Sequence, residues 1–291
     1  MPQPRLAWQS KLILLAVVPA TAIDVLFKAQ WWAGQQLDVT IWTLGASIIL
    51  GLITWQLRAA TPMAAATGTI ITASLMFDTL QYPYEPWNTA LIPVLAVSLL
   101  AFISTRAGRA KKERIGTAEK HSGREAAQVA ANLGFAALIA TDFARTSFDL
   151  AQWLPRITPN QSALIIAALA AMSEAAADTV SSELGQVFGG RPRMLTTLAP
   201  VDPGTDGAIS LTGTIAGAVA AIIVAAGGTW ALHGNTQMFA ISTCGAVFGL
   251  FFDSLLGATL ERAGWLNNDA VNFLSTISAA ALALGLQAYI R

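Results

Sequence analysis

Residues 162–185 read SALIIAALAAMSEAAADTVSSELG. From Ala163 to Met172 there is no polar side chain, and the second half then carries Glu174, Asp178 and Glu183. An apolar stretch of about 20 residues is what an α-helix needs to cross a hydrocarbon layer of about 30 Å. The stretch therefore predicts a membrane span that takes acids in with it, and intramembrane acids are costly unless something offsets their charge.

The same pattern recurs along all 291 residues. Apolar runs cover 11–28, 38–57, 62–81, 88–105, 126–144, 162–184, 208–230, 236–256 and 270–289. The first is read as a span rather than a cleaved leader, because no small-residue cleavage site follows it. The chain is 54% apolar and only 12% charged, against about 25% charged in a soluble domain. An ordinary soluble enzyme is excluded on that ground. With 17 basic and 17 acidic residues, the chain lacks the basic surface of a nucleic-acid binder. Two His and one Cys, far apart, do not suit a zinc site, and Cys244 reads as an inert buried thiol. The fold class expected is an all-α, polytopic transmembrane helix bundle of one domain with about nine spans. Residues 1–105 form N-terminal spans and 106–291 form a catalytic half.

With the N-terminus in the cytosol, the inner connectors hold the basic residues between Arg106 and Arg124 together with Arg191, Arg193 and Arg262. The outer segments hold only Lys28, Arg145, Arg156 and Arg291. That is a positive-inside bias. Trp31, Trp42, Trp55, Trp87, Trp153, Trp230 and Trp265 fall near span ends, as an interfacial belt requires. The connectors 106–125, 185–207 and 257–269 share the inner side, so they are expected to build one cytosol-facing site. Asp24, Asp78 and Asp142 lie at outer ends and read as solvated or structural. Gly213 and Gly217 form a GxxxG, which lets two spans approach closely.

Four constellations carry chemistry. Glu174, Asp178 and Ser181 are spaced to share one helix face, with Ser182 and Gly185 flanking it. Two such carboxylates repel unless paired with Arg on a neighbouring span or bridged by a divalent cation; Mg²⁺ takes one or two carboxylates plus phosphate oxygens. Asp253, Gly257 and Glu261 repeat the spacing, with Asp253 a second metal candidate or a solvated helix-end acid. Gly204-Thr205-Asp206-Gly207 precedes a helix, either as a phosphate cradle of backbone N–H groups or as a turn with Asp206 as N-cap. Arg191 and Arg193 lie just upstream and suit phosphate. The basic loop with Lys111, Lys112, Lys120 and Arg124 either binds phosphate or enforces topology at anionic lipid. Asn132 could serve the same site. Asn268 and Asn272 read as ligand contacts, and Asn267 or Asn268 as a helix cap.

Glu174 to Gly185, Arg191-Pro-Arg193, Pro203-Gly-Thr-Asp-Gly207 with Ser210 and Gly213, Asp253-Ser-Leu-Leu-Gly257, and Asn268 to Asn272 occur in this order. Together they resemble the integral-membrane family that contains plant phytyl-phosphate kinase and its cyanobacterial and archaeal relatives. The likeness is remoter to CTP-using lipid enzymes such as dolichol kinase, phytol kinase and CDP-diacylglycerol synthase. Two positions depart from that pattern, His121-Ser122-Gly123-Arg124 and Ala208. The resemblance implies transfer of a phosphoryl group from a nucleoside triphosphate, CTP above others, to an isoprenoid monophosphate such as phytyl phosphate, for tocopherol and phylloquinone synthesis. It implies Mg²⁺ on Glu174, Asp178 and Asp253. Asp178, Asp253 and Arg193 would stand at the reacting phosphates. The nucleotide would meet Lys111, Lys112, Lys120, Arg124, Asn132, Ser181, Ser182, Arg191, Gly204, Thr205, Asp206, Gly207, Asn268 and Asn272. The partners are the isoprenoid phosphate and membrane lipids, with the prenyl tail against the C-terminal half. A homo-oligomer stays open. The location implied is a bacterial, cyanobacterial-type inner or thylakoid membrane. No P-loop pattern is present. A lipid-phosphate cytidylyltransferase and a non-enzymatic lipid-phosphate or ion transporter are the alternatives.

Overall fold

The computed structural model describes residues 6–150 and 159–290. Trp153, Arg156 and Arg291, used above for topology, lie outside the described residues. Each apolar run forms helix: α1 (Ala7–Gln35), α2 (Leu37–Gln56), α3 (Pro62–Asp78), α4 (Leu91–Arg106), α6 (Ala126–Ala140), α8 (Gln161–Phe188), α9 (Leu211–Ala231), α10 (Thr236–Leu256) and α11 (Asn268–Ile290). Two short helices, α5 (Arg109–Ile115) and α7 (Asp142–Leu150), follow α4 and α6 at bends of 65° and 59°. The expected nine spans need correcting. Six helices are long and apolar enough to cross a bilayer alone, and the count reaches eight if each bent pair is one span. Helix α3 has 17 residues, because Pro62 opens it and its polar end stops at Asp78. One short antiparallel ladder, β1 (Arg193–Met194) with β2 (Ala208–Ile209), interrupts the otherwise helical chain.

The centre is α8. Its run from Ala163 to Ala177 is buried except for half-buried Ile165, and α4, α6, α9, α10 and α11 all pack on it. Alanine makes this feasible: a helix with small side chains lets neighbours come close, and in lipid such van der Waals packing replaces the hydrophobic drive. The neighbours contribute glycines at the contacts. A Cβ on Gly217 of α9 would stand 2.7 Å from the Ala177 carbonyl oxygen, and one on Gly213 2.7 Å from that of Ser181. The GxxxG is thus the α8–α9 seam. Gly249 of α10 leaves room for Glu174, whose Cγ would lie 2.5 Å from a Cβ there.

Large apolar side chains point outward on the peripheral helices, including Leu15 and Leu26 of α1, Ile49 of α2 and Leu99 of α4. They form the lipid-facing surface. Cys244 belongs to this surface and is exposed on α10, which corrects the buried reading. An apolar sequence setting looks the same whether a residue faces core or lipid.

Polar latches close both ends. At one end Lys28 is shared among Asp24, Asp78 and Asp142, tying α1 to α3 and α7. These acids are therefore paired rather than simply solvated. At the other end Asn267 caps α11 by accepting from the Ala270 amide (2.9 Å) and donates to the Leu6 carbonyl (2.9 Å). The start of α1 thus lies against the 265–269 turn.

Because Gly217 meets backbone rather than a movable side chain, Gly217→Ala should destabilise the protein by about 1–3 kcal/mol through overpacking. Gly45→Ala, where a Cβ meets nothing within 4 Å, should leave stability unchanged or higher. Thermal unfolding of the two purified variants in detergent measures the difference.

Candidate functional site

A polar cavity of about 260 Å³ opens beside the C-terminal half of α8. All three connectors expected on one side reach it. Glu119 and Arg124 come from the α5–α6 connector, Pro192 and Pro203 to Gly207 from the α8–α9 connector, and Gly257 and Glu261 from the turn after α10, with Gln186 near the end of α8 and Asn268 at the start of α11. Helix α8 adds Asp178, Thr179, Ser181 and Ser182, α10 adds Asp253 and Ser254, and α6 and α11 add Asn132 and Asn272.

Local backbone chemistry explains this convergence. Asp206 does not cap α9; Ser210 does, its hydroxyl accepting from the Gly213 amide (3.1 Å). Asp206 is left free to face the cavity. Gly204 and Gly207 both have positive φ, 87° and 73°, a region that glycine enters without cost. A Cβ on Gly207 would lie 2.1 Å from the Ala258 nitrogen, and one on Gly257 2.7 Å from the Gly207 nitrogen. The two glycines therefore let the loop press backbone-to-backbone onto the end of α10. There the helix widens into a π-turn over Gly257–Glu261, with the Arg262 amide donating to the Gly257 carbonyl five residues back (3.4 Å). Such turns are frequent at functional sites. On the opposite wall, the Arg124 amide donates to the Ala59 carbonyl and its own carbonyl accepts from the Thr61 amide, each 3.0 Å. This fixes Arg124, whose guanidinium reaches Thr179 (3.5 Å) and faces Asp178. Asn272 donates to Asn132 (3.1 Å) and joins α11 to α6.

The charge in this cavity is unbalanced. Glu119, Asp178, Glu183, Asp206, Asp253 and Glu261 line it, and among the described residues Arg124 is its one basic lining residue. Glu183 alone among these six acids has an ion-pair partner among the described residues, Lys112 at 2.6 Å. Asp178 and Asp253 stand close enough to interact directly, and Asp253 Oδ2 is buried without a hydrogen-bond partner. Two facing carboxylates with an orphaned oxygen, in a cavity with room for further ligands, suit a hard divalent cation that keeps waters and takes substrate oxygens. Among the described residues no three His, Cys, Asp or Glu converge as a complete protein ligand set. Glu174 sits deeper, in the α8–α10 packing, and does not line the cavity. Its Oε1 is also buried without a partner.

The basic residues expected at phosphate are placed elsewhere, Arg124 apart. Lys112 is fully buried and donates to the Ser104 and Thr105 carbonyls (3.0 and 2.7 Å) besides Glu183. Lys111 donates to the Val187 carbonyl (2.6 Å) near the end of α8. Lys120 pairs with Glu125, a hydrogen bond that pushes its ammonium pKa above the ordinary value. Arg193 closes its own turn on the Leu198 carbonyl (2.8 Å), and Arg191 is exposed. Clustering in sequence says which loop a base belongs to, not which way it points. Sequence reasoning passed over Glu119, Gln128, Thr179 and Ser254, which line the cavity. For Thr179 and Ser254 the signal was adjacency to Asp178 and Asp253.

The sequence profile of a family described as "Integral membrane protein DUF92" matches residues 45–280. An uncharacterized membrane protein of Synechocystis is 32% identical over 252 residues, covering 86% of this chain and 83% of that relative. One from Methanocaldococcus jannaschii is 41% identical over 113 residues, 39% of this chain and 47% of the other. "Protein VTE6, chloroplastic" of Arabidopsis thaliana is 34% identical over 116 residues, 39% of this chain and 35% of that protein. No solved structure matches.

Since fully buried Lys112 pairs with partly buried Glu183, Lys112→Met should cost about 3 kcal/mol or more by leaving that carboxylate without its partner. The expected result is a lower unfolding temperature in detergent, with the double variant Lys112→Met/Glu183→Gln recovering much of the loss.

Proposed function

Because the chain belongs to the DUF92 family of integral membrane proteins, we propose that it is a membrane phosphotransferase acting on an isoprenoid monophosphate. The donor is a nucleoside triphosphate, CTP by the resemblance described above. The acceptor is phytyl phosphate or a close relative, and the product diphosphate serves tocopherol-type synthesis. The observation that carries this reading is the acidic cavity in which Asp178 and Asp253 face each other beside a glycine turn and Arg124.

An acid-lined cavity repels a bare triphosphate. With Arg124 as its one basic lining residue, neutralisation falls to bound cations rather than to lysines. Asp178 and Asp253 would hold Mg²⁺, with Glu174 below them and Glu261 at the rim. When bound, Mg²⁺ supplies charge neutralisation of the phosphate oxygens. Phosphoryl transfer needs positioning and electrostatics more than covalent catalysis. The Gly204–Gly207 turn and Ser181, Ser182, Asn268 and Asn272 orient the nucleotide, and Arg124 steadies the transferred group. An oxygen of the acceptor monophosphate attacks the γ-phosphorus. That O–P bond forms as the bond from the γ-phosphorus to the β–γ bridging oxygen breaks, and the nucleoside diphosphate leaves with the electron pair. The acceptor is already ionised at neutral pH, so no side chain has to remove a proton. The site opens to the cytosol in this reading.

A cytidylyltransferase would instead release pyrophosphate. A cation-coupled transporter is the second reading, favoured by one observation: Glu174, whose Oε1 is buried without a hydrogen-bond partner, lies beneath the acidic cavity, inside the bundle.

Purified protein with geranylgeranyl or phytyl monophosphate, CTP and Mg²⁺ should yield the lipid diphosphate and CDP, and EDTA should stop the reaction. Asp178→Asn and Asp253→Asn should each lower turnover by about a hundredfold or more, the scale of losing one electrostatic element of a transition-state site. Release of pyrophosphate would establish the cytidylyltransferase. Absence of turnover with CTP, ATP, UTP and GTP, together with cation flux in proteoliposomes, would establish the transporter.

A further inference from the structure

A second cavity, of about 420 Å³, lies on the other side of Arg124 and Thr179. Its lining is mostly apolar and small, with Gly51 from α2, Ala65 and Gly68 from α3, and Val97 and Ala101 from α4. Lining residues from Val94 to Arg106 give it a length of about 18 Å, at about 1.5 Å per helical residue. Its volume falls within the range of about 300–1,000 Å³ usual for one small ligand. Helix α2 packs on α1 and α3, and α4 on α8 and α9, while α2 and α4 do not pack on each other to any extent. The slot between them therefore faces the bilayer.

The rim has the opposite character. Arg58, Arg106, Arg109, Lys120 and Arg124 line it, with Glu119 as the one acid. Lys120 and Arg109 are engaged by Glu125 and Glu113. Arg106 has no acidic partner among the described residues; it donates to the Leu57 carbonyl (2.6 Å) and stacks on Phe102, 3.8 Å from the ring centroid. Arg58 is exposed, without a side-chain partner among the described residues, and has φ of 52°. It occupies the left-handed position that ends α2: the Ala59 amide donates to the Thr54 carbonyl and the Arg58 amide to the Trp55 carbonyl, each 2.9 Å. Glycine is the unstrained residue at that position. Strain of this kind at a cavity rim marks a side chain held for something other than stability.

We propose that this cavity is the acceptor subsite, holding one isoprenoid monophosphate with its tail between α2 and α4 and its phosphate on Arg58 and Arg106. It rests on the phosphotransferase reading above, and it places the tail against the N-terminal half rather than the C-terminal half expected from the resemblance. The wall shared by the two cavities, Glu119, Arg124, Asn132 and Thr179, is where donor and acceptor phosphates meet, Arg124 offsetting the acid. Charge complementarity at the rim and a single apolar slot commit the site to a one-chain lipid phosphate, not a two-chain phospholipid.

Arg58→Gly separates function from structure, because it relieves the strained backbone. Its unfolding temperature should equal or exceed that of the parent. The KM for geranylgeranyl monophosphate, and its Kd measured without nucleotide in nanodiscs, should rise about tenfold or more, the loss of one charge-assisted contact, with the KM for CTP unchanged. At Gly68 a Cβ meets nothing closer than Val129 at 3.8 Å, so Gly68→Leu grows into the slot. It should shift preference from geranylgeranyl to the shorter geranyl monophosphate. Unchanged lipid KM and Kd in both variants would overturn the subsite while leaving the kinase reading standing. Phosphatidic acid competing as well as geranylgeranyl monophosphate would also overturn it. Arg58-dependent binding with no phosphoryl transfer from any nucleotide would uphold the subsite and remove the kinase.

Discussion

The close approach of backbones around α8 is the constraint on which the bundle depends. In lipid, apolar side chains gain little by leaving their surroundings, so helices associate through contact and fit. The alanines of α8 and the glycines of α9 and α10 let several helices reach one axis. Had α8 carried leucines instead, its neighbours would stand farther off and Asp178 and Asp253 would not face each other. The same contacts carry Glu174 into the packed interior, because Gly249 leaves it space.

Electrostatics follow from that packing. Acids from α8, α10 and three connectors share one cavity, with a single arginine lining it among the described residues. Other basic side chains satisfy carbonyls and carboxylates of the scaffold, as Lys111, Lys112 and Arg193 do. Charge on the chain balances overall, 17 against 17, yet its distribution is uneven: acidic in the polar cavity, basic at the rim of the apolar one. Arg124 and Thr179 stand in both linings and join the two chemistries at one wall.

Turns between helices do the positioning. Gly123 has φ of 83°, and a Cβ there would lie 2.5 Å from the Ala59 carbonyl carbon, so the basic connector lies flat on the α2–α3 turn. Gly204 likewise abuts Thr117, and Gly207 abuts Gly257 and Ala258. Three connectors distant in sequence are thereby pressed together, which no local propensity specifies.

The sequence by itself determined that the chain is a helical membrane protein, where its helices lie, and which of its segments carry acids. Those properties are local: apolar length answers to membrane thickness, and helical spacing answers to which residues share a face. The Asp178 and Asp253 stripes, the Gly204–Gly207 turn and the convergence of three connectors were legible for that reason. Only the tertiary structure decided how many helices are long enough to cross unaided, that Glu174 packs inside while Glu261 opens to the cavity, and that Lys112 is buried against Glu183 while Arg124 lines the cavity. It alone put an apolar slot with a basic rim in the N-terminal half, which read as plain spans. Side-chain direction in a loop, and the gap left between two helices, depend on what packs against them from elsewhere in the chain.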